Sequence, residues 1–173
     1  GACIIGKTTT TEFAYKGDRS DSPLTGVTRN PWNLEKTAGG SSSGMAASVS
    51  AGITPFGIGT DEGGSVRIPS SFCGLFGIKA QFGRVPVYPP TPTPTLSHVG
   101  VASRSVRDAA LLLQAISGFD ERDPVSLTQP VPDFLRACDE SPEGLRIAWS
   151  PTLGYARPDP EVRRIAEAVA LRF

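Results

Sequence analysis

Two glycine–serine turns decide how this chain is read: Gly39-Gly-Ser-Ser-Ser-Gly44 and Asp61-Glu-Gly-Gly-Ser-Val-Arg-Ile-Pro69. No propensity scale makes the first of them regular. It runs into Met45-Ala-Ala-Ser-Val-Ser-Ala51, small residues that suit a helix packed closely against its neighbours, and Gly52 stands where that helix should end. Before the second turn, Phe56 to Gly59 reads as a short apolar strand, and Leu75 to Ile78 behind it reads as another. Gly63 and Gly64 leave the amides ahead of Ser65 uncovered by side chains, and consecutive bare amides are what an oxyanion hole requires. Asp61 and Arg67 flank the turn with opposite charge and are expected to pair across it. A flexible Gly/Ser linker has the same composition. Strands on both sides, with Phe72, Leu75 and Phe76 close by, favour a rigid, buried turn instead.

Outward from these turns, Ala2–Ile5 reads as a buried strand, followed by a Thr-rich stretch to Thr11 and a polar loop from residue 16 to Pro31. Residues 33–38 are not strand-like. Five prolines between Pro86 and Pro94 predict extended backbone, a surface loop or linker that borders a substrate cleft. Ser105-Val-Arg-Asp108 is a capping box, and Val106, Ala109, Ala110, Leu113 and Ile116 follow at helical spacing up to Gly118. Leu145 to Trp149 reads as a strand. Asp159-Pro160-Glu161 opens a final helix with an N-cap, an N1 proline and a first-turn acid. Strands alternating with helices predict an α/β sandwich around a mixed sheet. Both ends fall inside such elements, which marks the chain as a piece of a longer domain.

The chain has 173 residues, with 17 basic and 17 acidic side chains scattered along it. A zero formal charge without a basic stripe argues against nucleic acid and against an anionic membrane as partner. Neither a leader nor a long apolar run is visible, so a cytoplasmic protein is expected. Cys3, Cys73 and Cys138 form no CxxC pair and His98 is the one histidine. Reduced, mostly buried thiols are expected, with no metal and no cofactor.

Two further motifs compete for the chemistry. Gly1-Ala-Cys-Ile-Ile-Gly-Lys-Thr8 satisfies the phosphate-loop pattern, but Ala, Cys, Ile and Ile prefer a strand to a wrapped loop. Gly40-Ser-Ser-Ser-Gly44 fits a nucleophile elbow around Ser42, yet such an elbow needs a strand before it and a base after it. His98 is the sole histidine available as that base.

Taken together, the residues resemble the amidase signature family. The resemblance rests on Gly39–Gly44, on Asp61–Pro69 and on Phe72-Cys-Gly-Leu-Phe-Gly-Ile-Lys79. It is extended by Gly6-Lys-Thr, Glu12-Phe-Ala, Asn30-Pro-Trp32, Phe82-Gly-Arg-Val-Pro86, Ser105–Ala110 and Asp120–Pro124. It implies an α/β/α sandwich of which residues 1–173 form a central part. It also implies a Ser-cisSer-Lys triad, with Ser65 as acyl-forming nucleophile and Ser41, after a cis peptide bond, as bridging serine. The backbone amides of Glu62, Gly63, Gly64 and Ser65 correspond to the oxyanion hole, with Ser42, Thr60, Asp61 and Arg67 in support. The implied reaction is hydrolysis of a small-molecule amide through an acyl-serine, without a cofactor; a homodimer is left open.

The chain departs from the pattern in two places. Glu62 stands where the family usually has a small residue such as Thr, which adds a carboxylate near the substrate. The family's lysine segment is absent, and Lys7, Lys16, Lys36 and Lys79 are not in a matching context. An isolated piece lacking its general base is therefore expected to be inactive. The alternatives are a binding module that has lost the lysine and the A-type component of a tRNA-dependent amidotransferase, which works with tRNA partners.

Overall fold

A computed structural model of the chain describes residues 2–15 and 17–173, in two compact units, one ending at Cys138 and the other running from Asp139 to Phe173. The first unit begins irregularly and forms two small antiparallel hairpins. The first pairs β1 (Asp21–Ser22) with β2 (Gly26–Val27), and the second pairs β3 (Arg29–Asn30) with β4 (Asn33–Thr37). Then come α1 (Ser43–Ser50), β5 (Phe56–Thr60), α2 (Arg67–Phe72), β6 (Phe76–Lys79), β7 (Val99–Ser103), α3 (Val106–Ile116) and the short α4 (Phe134–Ala137).

A three-stranded sheet in the order β5-β7-β6 organises this unit, and β7 is antiparallel to both neighbours. β5 and β6 therefore run in the same direction, and the register sets Thr60 opposite Val99 and Lys79 opposite Gly100. Both strands thus finish at the same edge of the sheet. The alternation of side chains across a strand then assigns the faces. Phe56, Ile78 and Val101 pack with Ala109, Leu112 and Leu113 of α3. Full burial of each such leucine stabilises the fold by roughly 1.5–3 kcal/mol. The opposite face carries Ala102 against Met45 and Val49 of α1 and against Val66. Gly59 and Gly77 lie on this second face. A Cβ on Gly59 would strike Ser42 and one on Gly77 would strike Ser70, so glycine is what lets the serine-bearing segments lie directly on the sheet. Helices cover both faces, as the α/β/α expectation requires.

α3 starts where its capping box predicts: Ser105 Oγ accepts the Asp108 amide at 3.1 Å. α1 and the strands β5 and β6 also match their expected positions within two residues. Other expectations fail, and the loop expected from residue 16 to Pro31 holds β1, β2 and β3. Residues 2–5 form no strand, and Ile4 and Ile5 are exposed, because no neighbouring strand ladders to them. Residues 33–37 do form a strand despite their polar sequence. The hairpin they share with β3 is pinned by Asn30 Nδ2 donating to Phe72 O (2.8 Å) and by Trp32 Nε1 donating to Cys73 O (2.8 Å), so tertiary bonds override propensity. β7, the central strand, has no counterpart among the expected strands: it is short, contains Gly100 and follows directly on the proline-rich run.

In the second unit, α5 (Pro160–Ala170) is the only regular element, capped by Asp159 Oδ1 accepting the Glu161 amide at 2.8 Å. Residues 145–149, read as a strand, are irregular, and Leu145, Ile147 and Trp149 are exposed with no paired strand.

Among the described residues no helix is long and apolar enough to cross a membrane. The three cysteines are free thiols. Cys73 is sealed in the core, where burial pushes its thiol up to about 11, whereas Cys3 is exposed, contrary to the expectation of mostly buried thiols.

Candidate active site

The two glycine–serine turns meet at the edge where β5 ends. The amide of Ser42 donates to Ser65 O (3.1 Å), joining turn to turn directly. The first turn is held from its other side by Gly40 N to Gly17 O (2.7 Å), Gly44 N to Thr9 O (3.0 Å) and Thr11 N to Ser41 O (3.3 Å). The Gly40–Ser41 peptide bond is cis. Ser41, Ser42 and Ser43 are all buried, while Ser65 is half-buried and Gly63 is exposed. The nucleophile candidate can therefore be reached from solvent, and the bridging candidate cannot.

Asp61 is the organising group of the second turn. Its side chain is fully buried, and its two oxygens accept from Gly64 N (2.8 Å), Val66 N (3.1 Å) and Arg67 N (3.2 Å). The Arg67 guanidinium closes a fork on the same carboxylate, Nε at 3.0 Å and Nη2 at 2.9 Å, so the expected pair forms. Such two-point geometry is the strong form of a charge-assisted contact. Burial alone would raise the Asp61 pKa. The Arg67 fork and the backbone donors outweigh it and hold the carboxyl well below the usual carboxylate range. The turn backbone follows from this wrapping: Gly64 sits at φ +131°, which a side chain would strain.

Of the four amides implied as an oxyanion hole, that of Gly64 is thus donated to Asp61 Oδ1. Among the described residues the amides of Glu62, Gly63 and Ser65 have no acceptor. Thr60 contributes its carbonyl, which receives Ser42 Oγ at 3.4 Å. Sequence reasoning missed Lys79 as a member of this cluster. Its Nζ donates to Glu62 O at 2.7 Å and lies 3.4 Å from Asp61 Oδ1. The available signal was its position in β6: it falls on the same face as Gly77, the face that carries the serine turns.

The proline-rich loop reaches the same turn. Thr93 Oγ1 donates to Glu62 Oε1 at 2.6 Å, and the ladder of β5 and β7 extends one residue further through Asp61 N to His98 O at 2.8 Å. Further back, Val87 N donates to Asp123 Oδ2 at 2.8 Å and Arg122 lies over the Tyr88 ring at 5.0 Å. Glu62, the departure from the family pattern, is thus the residue that ties this loop to the serine turn.

The competing motifs gain nothing from the geometry. A strand, β4, does precede Ser42, which corrects one objection to an elbow. However, Ser42 is buried with its hydroxyl on Thr60, and His98 is engaged by Leu96 O at 2.7 Å and by the Phe82 ring. Gly1, the first residue of the phosphate-loop pattern, and Lys16, one candidate base, lie outside the described residues. Lys7 and the segment around it are exposed and irregular.

The family model described as Amidase matches residues 1–172, and the chain belongs to that family. It is 45% identical over 148 residues to the A-type component of the glutamyl-tRNA(Gln) amidotransferase of Syntrophobacter fumaroxidans, covering 85% of this chain and 30% of that protein. Among solved structures it superposes on a bacterial aryl acylamidase of the amidase signature enzymes with a TM-score of 0.85 at 36% identity, over 93% of this chain and 33% of that one. The 6-aminohexanoate cyclic dimer hydrolase gives the same TM-score at 35% identity, over 94% and 35% respectively. The chain therefore spans about a third of the length of the relatives it matches.

Proposed function

We propose that this chain carries the nucleophile and oxyanion half of a serine amidase. The observation that supports it best is the turn at 61–67. A buried, multiply bonded Asp61 fixes the backbone so that three unclaimed amides lie beside a half-exposed serine. In this reading Ser65 Oγ attacks the carboxamide carbon, and its proton passes through Ser41 towards a base. The developing oxyanion takes the unclaimed amides of the turn, those of Glu62, Gly63 and Ser65, preorganised donors of the kind that dominate acyl transfer. The C–N bond then breaks, the nitrogen leaves protonated as ammonia or an amine, and water releases the carboxylate from acyl-Ser65.

The base in this reading is the lysine of the family's own segment, which these 173 residues do not contain. Of the described lysines, Lys79 is engaged as a donor, and Lys7 and Lys36 are exposed. The segment alone therefore turns over no substrate, and its two units belong to one larger domain that supplies the rest of the triad. Ser41, Ser42, Thr60 and Arg67 act here by holding the turns.

A second reading has its own support: the curated relative at 45% identity is named as part of a tRNA-dependent amidotransferase, so the ammonia released could be passed to a partner rather than to solvent. A fluorophosphonate probe on the full-length protein tests the common part of both readings. A label on Ser65, lost in Ser65→Ala, supports the amidase. A folded protein with no label at Ser65 overturns it in favour of a non-catalytic module. Comparing ammonia release from glutamine and from small aryl amides then separates the two readings.

A further inference from the structure

The turn that carries Ser65 is secured at two successive peptide groups by one charged cluster, and the two are held in opposite senses. The Gly63–Gly64 peptide offers its N–H to Asp61 Oδ1 at 2.8 Å, so that amide faces the buried carboxylate. The preceding Glu62–Gly63 peptide offers its carbonyl to Lys79 Nζ at 2.7 Å, so its oxygen faces the cluster. In a planar trans peptide the C=O and N–H point opposite ways. The cis bonds are at Gly40–Ser41 and Tyr88–Pro89, not here. Holding Glu62 O inward therefore turns the Gly63 N–H outward, on the side away from Asp61 and Lys79. Without that hold the peptide could rotate. Gly63 is exposed and has open space where a Cβ would stand.

We propose that Lys79 is a positioning residue of the amidase reaction. Its ammonium locks the Glu62–Gly63 peptide so that the Gly63 amide is presented to the oxyanion. This assignment rests on the serine-amidase reading above and adds a residue to it. Sheet geometry explains how Lys79 comes to be there. β5 and β6 end at the same edge, one running into the turn and the other ending in Lys79, and Lys79 shares the face of Gly77 and of the serine turns. Its long apolar stem spans that face and leaves the side chain about one-fifth exposed, with Nζ between Glu62 O and Asp61 Oδ1.

The test is steady-state kinetics and inhibition by a phenylboronic acid, which forms a tetrahedral adduct on the serine, in the full-length protein. Loss of one oxyanion donor costs about 10²–10³ in kcat. A donor left mobile rather than removed should cost less, so Lys79→Met is expected to lower kcat by about 10–100-fold with KM changed by less than about threefold. Boronate inhibition should weaken in parallel with kcat. Lys79→Arg, which keeps a charged donor, should recover most of both. If Lys79→Met lowers the melting temperature sharply, Lys79→Arg decides, since its guanidinium reaches at least as far as the ammonium and can donate both to Glu62 O and to Asp61. An Arg variant within a few-fold of the wild-type kcat supports the assignment. An Arg variant that melts normally yet loses as much kcat as Met overturns it.

A Lys79→Met enzyme with unchanged kcat and boronate affinity also overturns the assignment while leaving the amidase reading intact. A wild-type protein that takes no phosphonate on Ser65 sinks both.

Discussion

Between Ala38 and Ala80, Ser41, Ser43, Asp61, Val66 and Cys73 are sealed from solvent, whereas no residue from Asp139 to Phe173 is buried. Local sequence signals are at least as clear in the second region. α5 has an N-cap, an N1 proline and a first-turn acid, and its apolar Val162, Ile165 and Val169 recur at helical spacing, yet all three are exposed. In the first region the decisive segments are glycine–serine turns with no regular propensity. They are fixed by Asp61, by backbone bonds to segments distant in sequence and by helices set against a glycine-lined sheet face. Short-range codes are enough to write a helix. Long-range polar bonds are needed to fix a turn that has no regular propensity of its own.

That contrast can be broken most forcefully at Ser65. In the full-length protein Ser65→Ala is expected to lower kcat by roughly 10⁴–10⁶-fold, because members of a catalytic unit are grossly non-additive. Its melting temperature should stay near wild type, which amide hydrolysis and calorimetry together would check. Asp61→Asn should act on stability instead. The substitution leaves backbone amides that Asp61 accepts without their full acceptor, which costs about 1–3 kcal/mol, while Arg67, 52% exposed, stays solvated; urea unfolding measures the loss.

Acid sharpens the same point. The Asp61 carboxyl titrates lower when folded than when unfolded, so its stabilisation is fully present above the unfolded value near ~4 and is lost as pH falls from there towards the folded value. Unfolding free energy should therefore fall between pH 5 and pH 2 in wild type and fall less steeply in Asp61→Asn. The smallest effect belongs to the other region. Ile165→Ala in this chain should shift stability by no more than about 0.5 kcal/mol, as expected for a side chain left in water. A loss as large as that of a core leucine would erase the contrast.

Much of this architecture was legible in the sequence, for identifiable reasons. α3 carries its boundaries in its own residues, from the Ser105 cap to Gly118. The Asp61–Arg67 pair was legible because a short turn forces its ends together. β4 was not, since what holds Asn33–Thr37 extended is Asn30 and Trp32 reaching the backbone of Phe72 and Cys73. The strands expected at 2–5 and 145–149 failed for the converse reason, apolar runs with no neighbouring strand. Lys79 escaped notice as part of the site because its role depends on strand register, with β5 and β6 both ending beside β7. That register became visible only once the unanticipated β7 was in place. Gly64 was read as one of four open amides, and in the structure its N–H belongs to Asp61, a choice that composition cannot encode.

The most direct test is a crystal structure of the full-length protein soaked with a phenylboronic acid. The expected result is a boron–oxygen bond to Ser65 Oγ, with one boronate oxygen about 2.7–3.1 Å from the Gly63 amide and from at least one of its neighbours. An adduct on Ser42 or on another serine, or a boronate oxygen directed into solvent away from the 62–65 amides, would contradict it.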